Sequence, residues 1–156
     1  MRTQTLPSLL TALACAAQAA VLNVGSDMTY SNLQTAAQVA GPGDSIVVHE
    51  GTYSGGQYIT GLKGTPQAWI HILAAQGESP IWDGGSSAWH LVRPAYVRIT
   101  GIIFQHQTSN GVNVDDSGSY DVPAQHVVFE QCTFRAMNAA GNNDLLKLSG
   151  VDDFEI

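Results

Sequence analysis

The sequence predicts an all-β solenoid, a parallel β-helix, on three observations. Five short apolar triplets recur: Ile46-Val47-Val48, Ile70-His71-Ile72, Val97-Arg98-Ile99, Val127-Val128-Phe129 and Phe154-Glu155-Ile156. Their first residues are 24, 27, 30 and 27 positions apart. A period in this range marks a coil whose turns bury their apolar faces only by stacking on one another. The triplets are too short for helices, and three of them alternate apolar–polar–apolar, the two-residue period of a strand. A second column repeats beside the first. It holds Val112-Asn113-Val114 and, one turn later, Leu146-Lys147-Leu148, so each turn has at least two strands. In a third column, Phe104 and Phe134 each stand seven positions after the start of their triplet, which implies stacked side chains inside the coil. Cys132, in the same segment as Phe134, reads as a small apolar filler pointing inward.

The elements follow in order. Arg2 and the apolar stretch Leu6 to Ala17 read as an export signal, and Ala17-Gln18-Ala19 offers small residues for cleavage after Ala19. A lipid-attachment signal at Cys15 is the rival, and Ala12-Leu13-Ala14 fits it poorly. Residues 1–19 are therefore expected to be a signal peptide, and residues 20–156 the N-terminal part of a parallel β-helix. From Tyr30 to Ala40, residues Leu33, Ala36, Ala37 and Ala40 recur at helical spacing, with Ser31 as the expected N-cap. A short helix here would cover the first open edge of the coil. Gly41-Pro42-Gly43-Asp44 ends it and turns into the first triplet. The last triplet reads as a strand without a cap, so further turns are expected beyond Ile156.

Removal of the signal leaves residues 20–156 with one cysteine, Cys132, so no internal disulfide is available. Five basic residues then face 13 acidic ones, a net charge of −8. That balance argues against a nucleic-acid partner, which calls for a basic patch. No segment beyond the signal is long and apolar enough to span a membrane. The protein is expected outside the cell or in the periplasm, as a monomer when full length.

Ser31-Asn32-Leu33-Gln34-Thr35-Ala36-Ala37, Gly41 to Val48 and Gly51-Thr52-Tyr53 resemble the opening of right-handed β-helix proteins of the pectate-lyase-like superfamily. So do Ile70 to Ala75 and Pro80 to Gly85. The resemblance covers nearly all the chain after the signal, and it implies the fold more specifically than an activity. Two narrower similarities exist. Gly64-Thr65, the Ile70 strand and Tyr96 to Gly101 resemble the early turns of alginate lyases and chondroitinase B. Gly141 to Gly150 resembles the segment bearing the catalytic lysine in family-nine pectate lyases. There Asp144 interrupts an Asn-Gly step and Ser149 replaces a glycine, so only Lys147 carries over cleanly. Val114 to Gly118 loosely resembles the acidic calcium segment of that family.

The resemblance implies β-elimination on an acidic, uronate-containing polysaccharide. Such a lyase needs a base for the proton beside the carboxylate and positive charge for the enolate-like intermediate. Calcium supplies such charge through oxygen ligands, and lysine can serve as the base. Lys147 is the expected base. Alternation turns Val112, Val114, Leu146 and Leu148 inward and Asn113, Asp115 and Lys147 outward, with Asn113 beneath Lys147. Asn113 and Arg135 are the expected substrate-binding residues. Asp115, Asp116 and Asp144 are the expected calcium ligands. Against this, an outward lysine near an aspartate is usually a solvated pair. Asp115-Asp116 before Ser117-Gly118-Ser119 suits a polar loop, and Asp144 suits a corner cap. The five histidines show no zinc spacing, and none is expected to bind metal. Two alternatives stay open: a glycoside hydrolase using carboxylates such as Asp115 and Asp144, and a noncatalytic glycan-binding module.

Overall fold

Side-chain alternation decides the architecture, because each strand has one face that stacks on its neighbours and one that meets water. The computed structural model describes residues 18–156. The signal peptide and the Cys15 rival fall mostly on residues 1–17, outside the described part. Three parallel sheets wind around one core. The first holds β1 (Val21–Val24), β2 (Ser45–Val48), β5 (Ile70–Ala74), β8 (Ala95–Thr100), β11 (Ala124–Glu130) and β14 (Val151–Glu155), in that order. The second stacks β4 (Gln57–Ile59), β7 (Trp89–Val92), β10 (Val112–Asp115) and β13 (Leu146–Ser149). The third stacks β3 (Thr52–Ser54), β6 (Ile81–Asp83), β9 (Ile103–Gln105) and β12 (Thr133–Arg135). The chain visits the three sheets in rotation, as a right-handed parallel β-helix does.

The five triplets share the first sheet, as their spacing predicts, and β1 adds a sixth strand at its N-terminal edge. Val97 pairs with Ile70 and Val127, and Val127 pairs with Phe154. The first step differs from the expected alignment: Ile46 pairs with Ile72, not Ile70. A two-residue slip keeps the same faces inward, so the apolar pattern does not distinguish the two registers. Val112 pairs with Leu146 in the second sheet and Phe104 with Phe134 in the third.

Inward residues Ile46, Ile70, Ile72, Val97, Ile99 and Val127 are completely buried. Each such side chain contributes roughly 1.5–3 kcal/mol of burial. The Phe104 and Phe134 rings stack 4.9 Å apart at 21°. The same column begins with Tyr53 stacked on Trp82 at 4.6 Å, and Trp89 meets Trp82 and Phe104 edge-on. Trp82 and Trp89 are fully buried, and Cys132 packs against this core. Burial pushes the Cys132 thiol above its ordinary value.

The covering helix, α1 (Leu33–Ala37), is present but shorter than the apolar spacing suggests, and its N-cap is Asn32 rather than Ser31. The Asn32 carboxamide oxygen accepts the Thr35 N–H at 3.0 Å, a reach matched to the third residue beyond the cap. Leu33, Ala36 and Ala37 are buried. Asp44 closes the following turn, accepting the Gly41 N–H at 2.8 Å and the Ala20 N–H at 2.7 Å. At the other end, Phe154 and Ile156 are exposed.

Candidate functional site

The outer face of the second sheet collects one residue from each rung. Parallel register puts Tyr58 beside His90, His90 beside Asn113, and Asn113 beside Lys147. Adjacent strands lie about 4.8 Å apart, so the column runs roughly 14 Å along the coil axis. Val112 and Val114 are fully buried, and Leu146 and Leu148 pack on the core. Alternation therefore turns Asn113 and Lys147 outward on neighbouring rungs, as the second column of the sequence predicts.

Asp115 lies two residues along from Asn113 and ties the column together. His90 Nε2 is 2.5 Å from Asp115 Oδ2. A carboxylate only accepts, so this nitrogen is the one that donates. Asn113 Nδ2 donates to the same oxygen at 3.0 Å, and the Ser117 N–H donates to Asp115 Oδ1 at 3.0 Å. Asn113 Oδ1 is buried without a partner among the described residues. Orphaned polar atoms of this kind are costly and call for an explanation, such as a role in binding. Tyr58 is 51% exposed, and its ring meets the His90 ring edge-on at 5.0 Å. Gly56, Gln57, Ser86 and Ser87 complete a shallow hollow beside these two rings.

The three expected calcium ligands do not converge. Asp115 is committed to His90, Asn113 and the Ser117 N–H. Asp116 turns into its own loop, where Oδ1 accepts the Gly118 N–H at 2.8 Å. Asp144 is bonded through its backbone to Asn110 and Gly111, at the far end of the paired strands from Asp115. Roughly 15 Å of chain separates those two levels. Calcium needs six to eight oxygens gathered around one point. Among the described residues no group of three or more histidines, cysteines or carboxylates is close enough to hold an ion. These residues do not fit calcium. The Asp115–Asp144 spacing is also wider than either glycosidase geometry.

Arg135 lies on the third sheet, away from Lys147. It heads a polar ladder of its own, with Nε donating to Gln105 Oε1 at 2.9 Å. Gln105 Nε2 donates to Asp83 Oδ2 at 2.7 Å, and His106 Nδ1 lies 2.9 Å from Asp83 Oδ1. The hydrogen bonds from Gln105 and His106 hold the Asp83 carboxyl below its ordinary range. Arg98 faces outward on the first sheet and is paired with Glu130 at 3.0 Å.

Sequence reasoning does not single out Tyr58 and His90. Gln57-Tyr58-Ile59 and Trp89-His90-Leu91 carry much the same alternation as the second column, and that is the available signal. The steps from Tyr58 to His90, to Asn113 and to Lys147 are too uneven to reveal it.

No family model matches the chain, and no curated protein matches it. Solved structures do. A pectate lyase, Pel9A, aligns over 81% of this chain and 37% of its own, with a TM-score of 0.60 and 20% identity. An alginate lyase from Paenibacillus sp. strain FPU-7 aligns over 83% of this chain and 44% of its own, with a TM-score of 0.55 and 20% identity. The fold is a pectate-lyase-like β-helix. The chain spans about two fifths of the length of these two enzymes. So distant a likeness establishes the architecture, and activity has to be argued from the site.

Proposed function

We propose that this chain forms the N-terminal turns of an exported β-helix enzyme that cleaves a uronate-containing polysaccharide by β-elimination. One observation supports it most: Lys147 stands on the outer face of the second sheet, in register with Asn113 and His90. An outward lysine side chain on such a column can meet the carbon next to a uronate carboxylate. In this reading Lys147, as the free amine, removes the proton from that carbon. The electron pair forms the new double bond and breaks the bond to the 4-linked sugar, whose oxygen leaves as a hydroxyl after taking a proton from solvent, and an unsaturated uronate remains. Asn113 supplies an amide for sugar hydroxyls. Asp115 orients His90, and no step runs through calcium. Further turns would stack on β14, and residues 1–19 would direct export. Two solved structures of similar fold are a pectate lyase and an alginate lyase, which agrees with this substrate class.

The test uses the intact protein with polygalacturonate or alginate. Ultraviolet absorbance of unsaturated ends should appear, and Lys147→Ala should lower the rate about 100- to 10,000-fold with the fold retained. Lys147→Arg should not restore it, because guanidinium keeps its proton near neutral pH. Wild-type turnover by Lys147→Ala would make Lys147 an ordinary surface lysine. Binding without unsaturated product would favour the noncatalytic glycan-binding reading. Loss of product with a chelator would require a calcium site made by residues other than Asp115, Asp116 and Asp144.

A further inference from the structure

At one end of the second sheet two cations sit together. Lys63 lies shortly after β4, and Arg93 follows β7 directly, where the coil leaves the second sheet for the first. The Lys63 ammonium donates to the Arg93 carbonyl oxygen at 2.5 Å, and Lys63 bridges to Ala95 on the strand above. The Arg93 N–H donates to the Asp115 carbonyl at 2.7 Å, which ties this corner to the rung that carries Asn113. Arg93 holds φ at 48°, a conformation most side chains avoid. Both side chains are exposed.

Their neighbours do not neutralise them. Arg98 is paired with Glu130 and Arg135 is engaged by Gln105, but among the described residues no carboxylate pairs with Lys63 or Arg93. Asp116, the next acidic residue up the coil, is turned into its own loop. Acidic residues outnumber basic ones 13 to 6 in this sequence, so an adjacent pair of cations without an acid is unusual. Like charges near one another repel. Partial desolvation of its ammonium end at this corner, and then the Arg93 charge, hold Lys63 below its ordinary value although the side chain as a whole is exposed. An arriving anion would relieve that repulsion. A guanidinium fork suits a planar carboxylate, and an ammonium beside it adds a point charge.

We propose that Lys63 and Arg93 form a carboxylate-binding subsite that holds a uronate unit of the polymer away from the point of cleavage. The register puts Arg93 two rungs below Lys147 and three residues further along, roughly 14 Å away. That distance separates recognition from chemistry. The subsite rests on the uronate reading given above, and it adds the group that selects charge.

The intact protein is titrated with hexagalacturonate and with its methyl-esterified form, which keeps the sugar chain and removes the charge. Variants are Lys63→Met, Arg93→Asn, the double variant and Lys63→Arg. Asparagine tolerates the left-handed backbone at position 93. The double variant should lose about tenfold or more in affinity for the acid, and added salt should shrink the gap between it and wild type. It should bind the ester as wild type does, and Lys63→Arg should keep wild-type affinity for the acid. Equal binding of the acid by wild type and double variant would overturn the subsite alone. Equal loss for acid and ester would also overturn it, by showing a merely structural effect. Wild type that binds the ester and not the acid would overturn both the subsite and the uronate reading, as would wild type that binds neither of these nor an alginate oligomer.

Discussion

At the scale of single residues, short polar side chains do the fixing. Asp115 joins two rungs by holding His90 and Asn113, and Asp83 does the same for Gln105 and His106 on the third sheet. The Asp83 carboxyl is held below its ordinary value of 3.8, first by Gln105 and then by His106. Its charged form is therefore favoured more in the folded state than in the unfolded chain. That contribution is fully present above about pH 4 and is lost as pH falls through the lower folded value. Asp83→Asn should flatten the acid limb of stability, so wild-type and variant melting temperatures should converge on going from about pH 5 to about pH 2. A constant gap over that range would show that the carboxylate charge is not what the ladder uses. The outward placement of Asn113 and Lys147 is legible in the sequence because each sits between two apolar residues. The commitment of Asp115 to His90 is not, because it depends on a rung 25 residues away in sequence.

At the scale of elements, register depends on backbone contact that leaves no room for side chains. A Cβ on Gly111 would collide with the Leu145 carbonyl oxygen and lie 2.7 Å from the Met137 methyl. Gly111 precedes β10, and Leu145 precedes β13, so this contact sets the height of Lys147 above Asn113. Gly111→Ala should cost about 1–3 kcal/mol by forcing the turns apart, and it should lower the proposed lyase turnover beyond its effect on the folded fraction. Unchanged melting and turnover would mean that the corner yields freely. The sequence marks this position only as one glycine among sixteen. Triplets, by contrast, are easy to see, because the buried and solvated faces of the first sheet impose a two-residue period. The slip between β2 and β5 escapes notice because a two-residue shift leaves that pattern intact. The helix cap falls at Asn32 and not Ser31 because both residue types suit the position, and only backbone geometry chooses.

At the scale of the whole molecule, stacking makes each sheet a straight column of aligned side chains. A linear polymer bound along the coil axis, as proposed, would meet Tyr58, His90, Asn113 and Lys147 in turn, with Lys63 and Arg93 at the flank of the same sheet. The architecture is legible from repeats because every turn must bury the same face. The candidate site is less so, since its proposed groups come from rungs with uneven spacing and Arg135 lies on another sheet. The outer face of the second sheet is the face proposed to carry the substrate. The most direct test is a crystal structure of the intact Lys147→Ala protein with a bound oligouronate. Sugar density is expected along the second sheet, with a ring against Asn113 and the vacated position 147, and a carboxylate at Arg93. Density on the first or third sheet, with the second sheet bare, would contradict that placement.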